Sequence, residues 1–388
     1  MKPIDPIELC SRLVGFDTTN PPGNEMACAR YLGGVLSDGG FEVTEHSFGP
    51  ERVNLVARVG SRNADRSLCF VGHLDTVPVG AMPWRHPPFS ATIEDGRLHG
   101  RGSCDMKGGV AAFVTAALRA AGELPPGTSL TLILAGGEET GCEGSSHLAR
   151  SSVDLSGFDG VIIAEPTGNE ALLGHKGALW IRARARGVAA HGAMPHNGVN
   201  AAVKAGRMIL ALQDFCAGLA PHPVLGEPTI NIGKVRAGNA VNVVPDFAEI
   251  DIDLRTTPGL DHDMLRQRML DLLAPDIDEA ETLVSMSSVF TDPGTPWVND
   301  VLQIVAQETG RAAVPGTASY FTDASALDSA FKGAPILILG PGSPRLMHQT
   351  DEYCEVSQIL EAQRIYSRLI AKTLAHPEAE RADIVEQA

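Results

Sequence analysis

The feature that most constrains the fold is a set of apolar runs of strand length that do not alternate with polar residues. Four of them are SLCFVGHLD (67–75), SLTLILAGG (129–137), DGVIIAEPT (159–167) and APILILGPG (334–342). Such runs are typical of strands buried on both faces of a sheet. VNLVARV (53–59) adds a strand, and 106–122 is a predicted helix between runs. Strands separated by helices predict an α/β fold with a mainly parallel sheet.

The pattern changes near Gly177, where apolar and charged residues begin to alternate as in a sheet with one exposed face. The predicted strands are 178–187, 229–235, 247–257 and 281–290, and the predicted helices are 198–217 and 261–273. This β-α-β-β-α-β order predicts a split βαβ, ferredoxin-like α+β domain.

After Pro293 the α/β pattern returns, with predicted helices at 298–310 and 357–375. We therefore predict one domain from residues 1–176 and 291–388, interrupted by an inserted domain at 177–290. Residues 376–388 are expected to form a frayed polar tail.

Composition excludes several classes of partner. The net charge is −16 and no run of Lys or Arg occurs, which argues against nucleic acid and anionic membranes. The seven cysteines are scattered without CxxC spacing, so neither a disulfide framework nor a cysteine zinc site is indicated. No apolar segment has the length of a signal peptide core or a membrane span. We expect a soluble, cytoplasmic protein.

Glu138 and Glu139 follow one of the apolar runs directly. A Glu-Glu pair by itself is more typical of a solvated acidic turn. Adjacent side chains point in different directions, however, so one carboxylate could bind a metal while the other moves a proton.

Two other motifs have both structural and functional interpretations. His73 and Asp75 form an HxD at a strand end, either a structural histidine or a metal ligand supported by a carboxylate. Asp105 lies in GRGSCDMKGG, either as a helix N-cap or as a ligand. A phosphate-binding loop is excluded because Lys107 is followed by glycine rather than Ser or Thr.

Polar residues gather where the predicted core strands end, which is the edge where open α/β sheets bind ligands. They are His73, Asp105, Glu138, Glu139, Glu165 and His348. Two histidines and three of these four carboxylates suit borderline metals such as zinc. If Asp105 bridges two metals, each has two further ligands and Glu138 is left over as the general base.

The chain resembles the co-catalytic zinc aminoacylase/carboxypeptidase family, which includes acetylornithine deacetylase and succinyl-diaminopimelate desuccinylase. The resemblance spans nearly the whole chain and rests on GHLDTVP, GRGSCDMKGG, GGEETG, AEPTG, AHGAMPHNGVNA and HQTDEY. It implies a hydrolase of N-acyl amino acids with two Zn²⁺ ions, for which Co²⁺ or Mn²⁺ could substitute.

The resemblance also implies a role for each matching residue. One metal would be held by His73, Asp105 and Glu165, and the other by Asp105, Glu139 and His348. Asp75 would orient His73, and Glu138 would act as general base and then as acid.

The inserted domain would serve as a lid and as the dimerisation domain of a homodimer. Its His191 would reach the partner's active site and polarise the scissile carbonyl. Asn242 and Arg255 resemble substrate-side residues. The alternative for Asn242 is a turn asparagine, and for Arg255 a salt-bridged surface arginine is an equally open interpretation.

Within the family, Lys176-Gly177, DLRTTPG and GPGS…HQTDEY are most similar to acetylornithine deacetylase. The expected substrate is therefore N2-acetyl-L-ornithine, as in arginine biosynthesis, with Lys176 and Asp323 at the substrate. Asp323 is a departure, because acetylornithine deacetylase has glutamate there. A desuccinylase, a dipeptidase, a carboxypeptidase and a catalytically inactive metal-binding dimer are the alternatives.

Overall fold

The computed structural model describes residues 4–375, so the predicted tail at 376–388 lies outside the described residues. The strands, in chain order, are β1 Glu42–Gly49, β2 Arg52–Gly60, β3 Arg66–His73, β4 Thr92–Glu94, β5 Arg97–His99, β6 Thr128–Ala135, β7 Gly160–Ile163, β8 Leu172–His175, β9 Gly177–Arg186, β10 Thr229–Ala237, β11 Phe247–Thr256, β12 Glu279–Met286, β13 Val289–Phe290, β14 Gly316–Ala318, β15 Ile336–Ile338 and β16 Tyr353–Glu355. The helices are α1 Pro6–Val14, α2 Met26–Asp38, α3 Gly108–Ala120, α4 Glu143–Ala149, α5 Ala201–Ala217, α6 His262–Leu273, α7 Pro296–Thr309, α8 Ala324–Phe331 and α9 Val356–Thr373.

The described chain divides into two compact units. The first contains residues 4–174, 290–316 and 322–375, and the second contains 175–289 and 317–321. Each unit has its own hydrophobic core. None of the described helices is long and apolar enough to cross a membrane.

The first unit is built on a large mixed sheet whose order is β1-β2-β6-β3-β7-β15-β8 over seven of its strands. Its centre, β6-β3-β7-β15, is parallel, whereas β1, β2 and β8 pair antiparallel. The central strands are buried along almost their whole length, as continuous apolar runs predict.

Helix α3 lies against the centre of this sheet and begins later than the predicted 106–122. Residues 103–107 form an irregular turn before the helix starts at Gly108. A side chain at Gly109 would meet the Ala164 carbonyl oxygen at 2.1 Å, so glycine permits this close approach. The approach fixes the start of α3 beside the end of β7.

The second unit has the element order β9-α5-β10-β11-α6-β12 and an antiparallel sheet ordered β10-β11-β9-β12. Asn200 and Asp261 cap α5 and α6 by accepting from backbone N–H groups. Alternate residues of β9 and β11 are buried, so the sheet has one apolar face under the helices. The predicted strand 281–290 was wrong as a single element, because β12 ends at Met286 and β13 begins at Val289.

Candidate active site

The parallel strands bring their carboxyl ends to one edge of the sheet. His73, the last residue of β3, lies in register with Ala135, the last residue of β6. Val71 of β3 pairs with Ile163, the last residue of β7. Loops leaving these ends carry Glu138, Glu139 and Glu165, and the loop after β15 carries His348.

Asp105 stands between two groups of side chains that could each hold a metal ion. Its Oδ1 is 3.1 Å from His73 Nε2, and its Oδ2 is 3.4 Å from His348 Nε2. Glu165 Oε1 lies 3.8 Å from His73 Nε2, and Glu139 Oε2 lies 3.0 Å from His348 Nε2. We call these groups the two triads: His73, Asp105 and Glu165 form one, and Asp105, Glu139 and His348 form the other. Within each triad the ligand atoms lie within 4.8 Å of one another. The two oxygens of the Asp105 carboxylate therefore face the histidines of different triads, and Asp105 is the residue that the two triads share.

The Asp105 backbone is held by Glu352, to which the sequence interpretation assigned no role. Glu352 Oε1 accepts from the N–H groups of Gly102, Cys104 and Asp105 at 2.9–3.1 Å, and Oε2 accepts from Arg101. Glu352 and Arg101 are both buried. Only its place in the motif HQTDEY could have signalled this contact, because 247 residues separate it from Asp105.

Asp75 links the histidine to the Glu138-Glu139 pair. Its backbone carbonyl accepts from His73 Nδ1 at 2.9 Å, and its Oδ1 lies 3.6 Å from that nitrogen. The carboxylate also accepts from the N–H groups of Glu138 and Glu139 and from Asn20 Nδ2. Because Nδ1 donates to a carbonyl, Nε2 is the nitrogen left to face Asp105. Asn20 was missed, since nothing in its local sequence points to the site.

Negative charge is in excess at this edge of the sheet. Six buried or nearly buried carboxylates act on one another and on two histidines: Asp75, Asp105, Glu138, Glu139, Glu165 and Asp323. Glu139 Oε1 has no hydrogen-bond partner among the described residues. Buried charge without partners is costly, so the donor set fits divalent cations.

The pKa directions express the same excess. Burial raises the pKa of Glu138 and that of Glu165 well above the usual range, with neighbouring carboxylates adding to it. Burial also raises the pKa of Glu139. Asp105 is the exception, because hydrogen bonds from His348 and His73 outweigh its burial and lower its pKa.

The two histidines respond to this negative surrounding. Burial acts to lower the pKa of His73, but the Asp105 and Glu165 carboxylates outweigh it and raise that pKa well above its usual value. Hydrogen bonds to Asp105 and Glu139 raise the pKa of His348 to about 10. A cation in each triad would replace these protons and leave both imidazoles neutral.

Asp323 belongs to the same acidic cluster. It is buried at the start of α8, and burial raises its pKa to about 6. Its charge acts on Glu138 and Glu165.

The remaining predicted site residues lie in the second unit. Lys176 Nζ donates to the Glu227 carbonyl at 2.7 Å, and Arg255 pairs with Asp253 at 2.9 Å. His191 and Asn242 lie on adjoining exposed loops, joined by a hydrogen bond from Gly192 N–H to the Asn242 carbonyl. The second unit therefore groups His191 with Asn242, whereas Arg255 lies on the polar face of β11.

Comparison with known proteins supports a single family. Residues 69–372 match the model of "Peptidase family M20/M25/M40". The acetylornithine deacetylase of Myxococcus xanthus is 31% identical over 93% of this chain and 95% of its own. The succinyl-diaminopimelate desuccinylase of Paracoccus denitrificans is 33% identical over 97% of this chain and 100% of its own.

The fold agrees with these similarities. The M20 family metallo-carboxypeptidase Sso-CP2 from Sulfolobus solfataricus superimposes with a TM-score of 0.80 at 17% identity, covering 96% of this chain and 99% of that one. The family expected from the motifs is thus confirmed. The chain belongs to peptidase family M20/M25/M40 and is a hydrolase that acts on amide bonds.

Proposed function

We propose that this protein hydrolyses the amide bond of an N-acyl amino acid, with N2-acetyl-L-ornithine as substrate and L-ornithine and acetate as products. The observation that carries the proposal is that the carboxylates of the site occupy different positions relative to the two triads. Asp105 belongs to both triads, whereas Glu138 belongs to neither although it is buried beside them. The names of the Myxococcus and Paracoccus relatives support a substrate of the acylated amino acid class.

His73, Asp105 and Glu165 would hold one zinc ion, and Asp105, Glu139 and His348 the other. Bound there, the two ions would supply Lewis acidity for the amide carbonyl and for the attacking water. Cobalt or manganese could replace zinc, because imidazole and carboxylate ligands accept each of them.

Glu138 would move the proton. Its carboxylate accepts a proton from the attacking water and then delivers it to the nitrogen of the departing amine. Burial raises the pKa of Glu138 and makes the group a stronger base, and cations bound in the two triads would favour its ionised form. Asp75 positions Glu138 by accepting from its backbone N–H at 3.1 Å.

The second unit would act as the lid and dimerisation domain of a homodimer, with His191 polarising the scissile carbonyl in the partner's site. The nine-residue β10 is an edge strand and exposes Val235. Helix α5 packs against β10 and exposes Val203 and Leu210. An open edge strand beside exposed apolar side chains is typical of a surface that another chain covers.

Mixed dimers test the shared site. His191→Ala chains and Asp105→Asn chains are each expected to be inactive, and their mixture should regain part of the activity because one site per dimer is intact. Absence of recovery in dimers proven to be mixed would contradict the shared site.

On the substrate side, Arg255 would bind the carboxylate, Lys176 and Asn242 would also contact the substrate, and Asp323 would bind the cationic side-chain amine of ornithine. The burial of Asp323 supports this role, since a buried carboxylate gains most from a charged donor.

A substrate panel tests the specific proposal. The zinc- or cobalt-loaded protein is assayed against N2-acetyl-L-ornithine, its neutral analogue N-acetyl-L-norvaline, N-succinyl-LL-diaminopimelate and dipeptides, by release of free amine. We expect acetylornithine to have the highest kcat/KM, and Asp323→Asn to reduce its advantage over acetylnorvaline. Preference for the succinyl substrate or for dipeptides would contradict acetylornithine as substrate, and no turnover of any amide would contradict the proposed activity.

A further inference from the structure

A third group of potential metal ligands lies in the first unit and shares no residue with the two active-site triads. It consists of His86, Glu94 and His99, whose ligand atoms lie within 4.8 Å of one another. This is the same separation that the two active-site triads satisfy. We propose that His86, Glu94 and His99 form an additional site for a divalent transition-metal ion of the Zn²⁺ or Ni²⁺ type.

The local sequence brings Glu94 and His99 to one face. Strands β4 and β5 form a hairpin whose two turn residues, Asp95 and Gly96, have φ values of 50° and 75°. Positive φ at both positions defines the tight hairpin turn that Asp-Gly favours. In this register Thr92 pairs with His99, and Glu94 sits two residues along from Thr92, so the Glu94 and His99 side chains are diagonal neighbours.

His86 completes the group from the segment that precedes the hairpin. Its Nε2 lies 3.2 Å from Glu94 Oε2, and its ring centroid lies 4.7 Å from that of His99. The Arg101 N–H donates to the Pro88 carbonyl, which ties this segment to the chain just after β5. Three ligands therefore come from two adjoining pieces of chain that the backbone already holds together.

The ligand chemistry suits a borderline metal. Two imidazoles and one carboxylate match the three-ligand set of many zinc sites, with a further position open to water. His99 is buried, and each imidazole offers one ring nitrogen as a ligand atom. A tetrahedral ion with bonds of about 2.0–2.1 Å would draw the three ligand atoms closer than they now stand.

Two arginines next to the group decide how strongly a cation can bind. Arg97 is engaged elsewhere, because its Nε donates to Glu355 at 3.0 Å and its guanidinium lies 4.5 Å from the Tyr353 ring centroid. Arg85 competes directly, because its Nη2 is 2.7 Å from Glu94 Oε2. Its side chain is 65% exposed, so it can leave Glu94 for solvent when a metal arrives.

The test is a titration of the full chain with Ni²⁺ by calorimetry, made in an Asp105→Asn background that removes the carboxylate shared by both active-site triads. We expect the His86→Gln and Glu94→Gln substitutions each to abolish one binding event or to raise its Kd at least about tenfold. His46→Gln is the matched control, because His46 lies on β1 and its Nε2 contacts Thr44. It should leave the titration unchanged.

The Arg85→Gln substitution should change the Kd in the opposite direction. Removing the competing guanidinium should lower the Kd of the same event, an outcome that simple loss of structure would not produce. His86 is 18% exposed and Glu94 40% exposed, so both substitutions should fold, which circular dichroism checks. A titration unaffected by both His86→Gln and Glu94→Gln would overturn the proposal and leave the group as ordinary hairpin packing.

Discussion

Charged residues are arranged in opposite ways in the two units. On the polar face of the second unit's sheet, Arg182 pairs with Asp251, directly across from it, and Arg184 pairs with Glu249. At the edge of the first unit's sheet, six buried or nearly buried carboxylates face two histidines, of which His73 is buried and His348 is half-exposed. On the polar face of the second unit, each of these arginines is already paired with a carboxylate, so no further cation is needed. In the acidic cluster of the first unit, carboxylates outnumber cationic groups. A buried excess of one charge, rather than the number of charged residues, therefore marks the functional site.

The difference follows from the two kinds of sheet. An antiparallel sheet with one exposed face places opposite charges across from each other along neighbouring strands. Parallel strands instead send their carboxyl ends to one edge, where successive loops add side chains of the same sign. The cross-strand pairs neutralise each other within the sheet, whereas the like charges at the edge of the parallel sheet would be neutralised by a bound ligand.

The largest expected effect concerns the carboxylate that belongs to neither triad. We expect Glu138→Gln to lower kcat by about 10²–10⁴-fold, because proton transfer loses its base, while metal content stays at the wild-type level. Steady-state kinetics and metal analysis on the same preparation check this. Wild-type turnover in Glu138→Gln would remove Glu138 from the mechanism.

A smaller effect is expected on stability when Glu352, which holds the backbone around Asp105, is replaced. Glu352→Ala leaves Arg101 buried without its partner and frees three backbone N–H groups, so we expect the free energy of unfolding to fall by about 3–5 kcal/mol. Urea unfolding of the metal-free protein measures it. Glu355→Ala is the control, since Glu355 pairs with the half-exposed Arg97 on the surface and its loss should matter much less. Equal effects would show that the Glu352 contacts carry no special weight.

The smallest effect is expected on the polar face of the second unit. Arg184→Ala removes a guanidinium that contacts Glu249 and Glu281, and should shift the urea midpoint only slightly. The shift should shrink further in 1 M NaCl, because salt screens exposed charges. A large shift that persists in salt would mean that the face contributes by packing rather than by charge.

Much of the site could be predicted because its ligands follow long apolar strands. His73, Glu138, Glu139 and Glu165 each lie at or shortly after a recognisable strand end, and the ends of parallel strands meet at one edge. The β-α-β-β-α-β order of the second unit was visible for a related reason, since its strands alternate clearly.

What could not be predicted depends on contacts between distant parts of the chain. Glu352 and Asn20 hold Asp105 and Asp75 from far along the sequence, and their local surroundings resemble ordinary loop residues. The group of His86, Glu94 and His99 was missed because two separate contacts assemble it: the hairpin turn brings Glu94 beside His99, and the hydrogen bond from Arg101 N–H to the Pro88 carbonyl brings the segment of His86 to them. The break between β12 and β13 falls at Ser287 and Ser288, and it was missed because apolar residues flank both serines.

The most direct test of the central claim is the number of metal ions lost on changing the shared carboxylate. Wild-type and Asp105→Asn proteins are dialysed against the same buffered low concentration of free zinc, and zinc per chain is measured by mass spectrometry. If Asp105 serves both triads, the variant should lose two ions relative to wild type while its circular dichroism is unchanged. Equal zinc content in the two proteins would contradict the account.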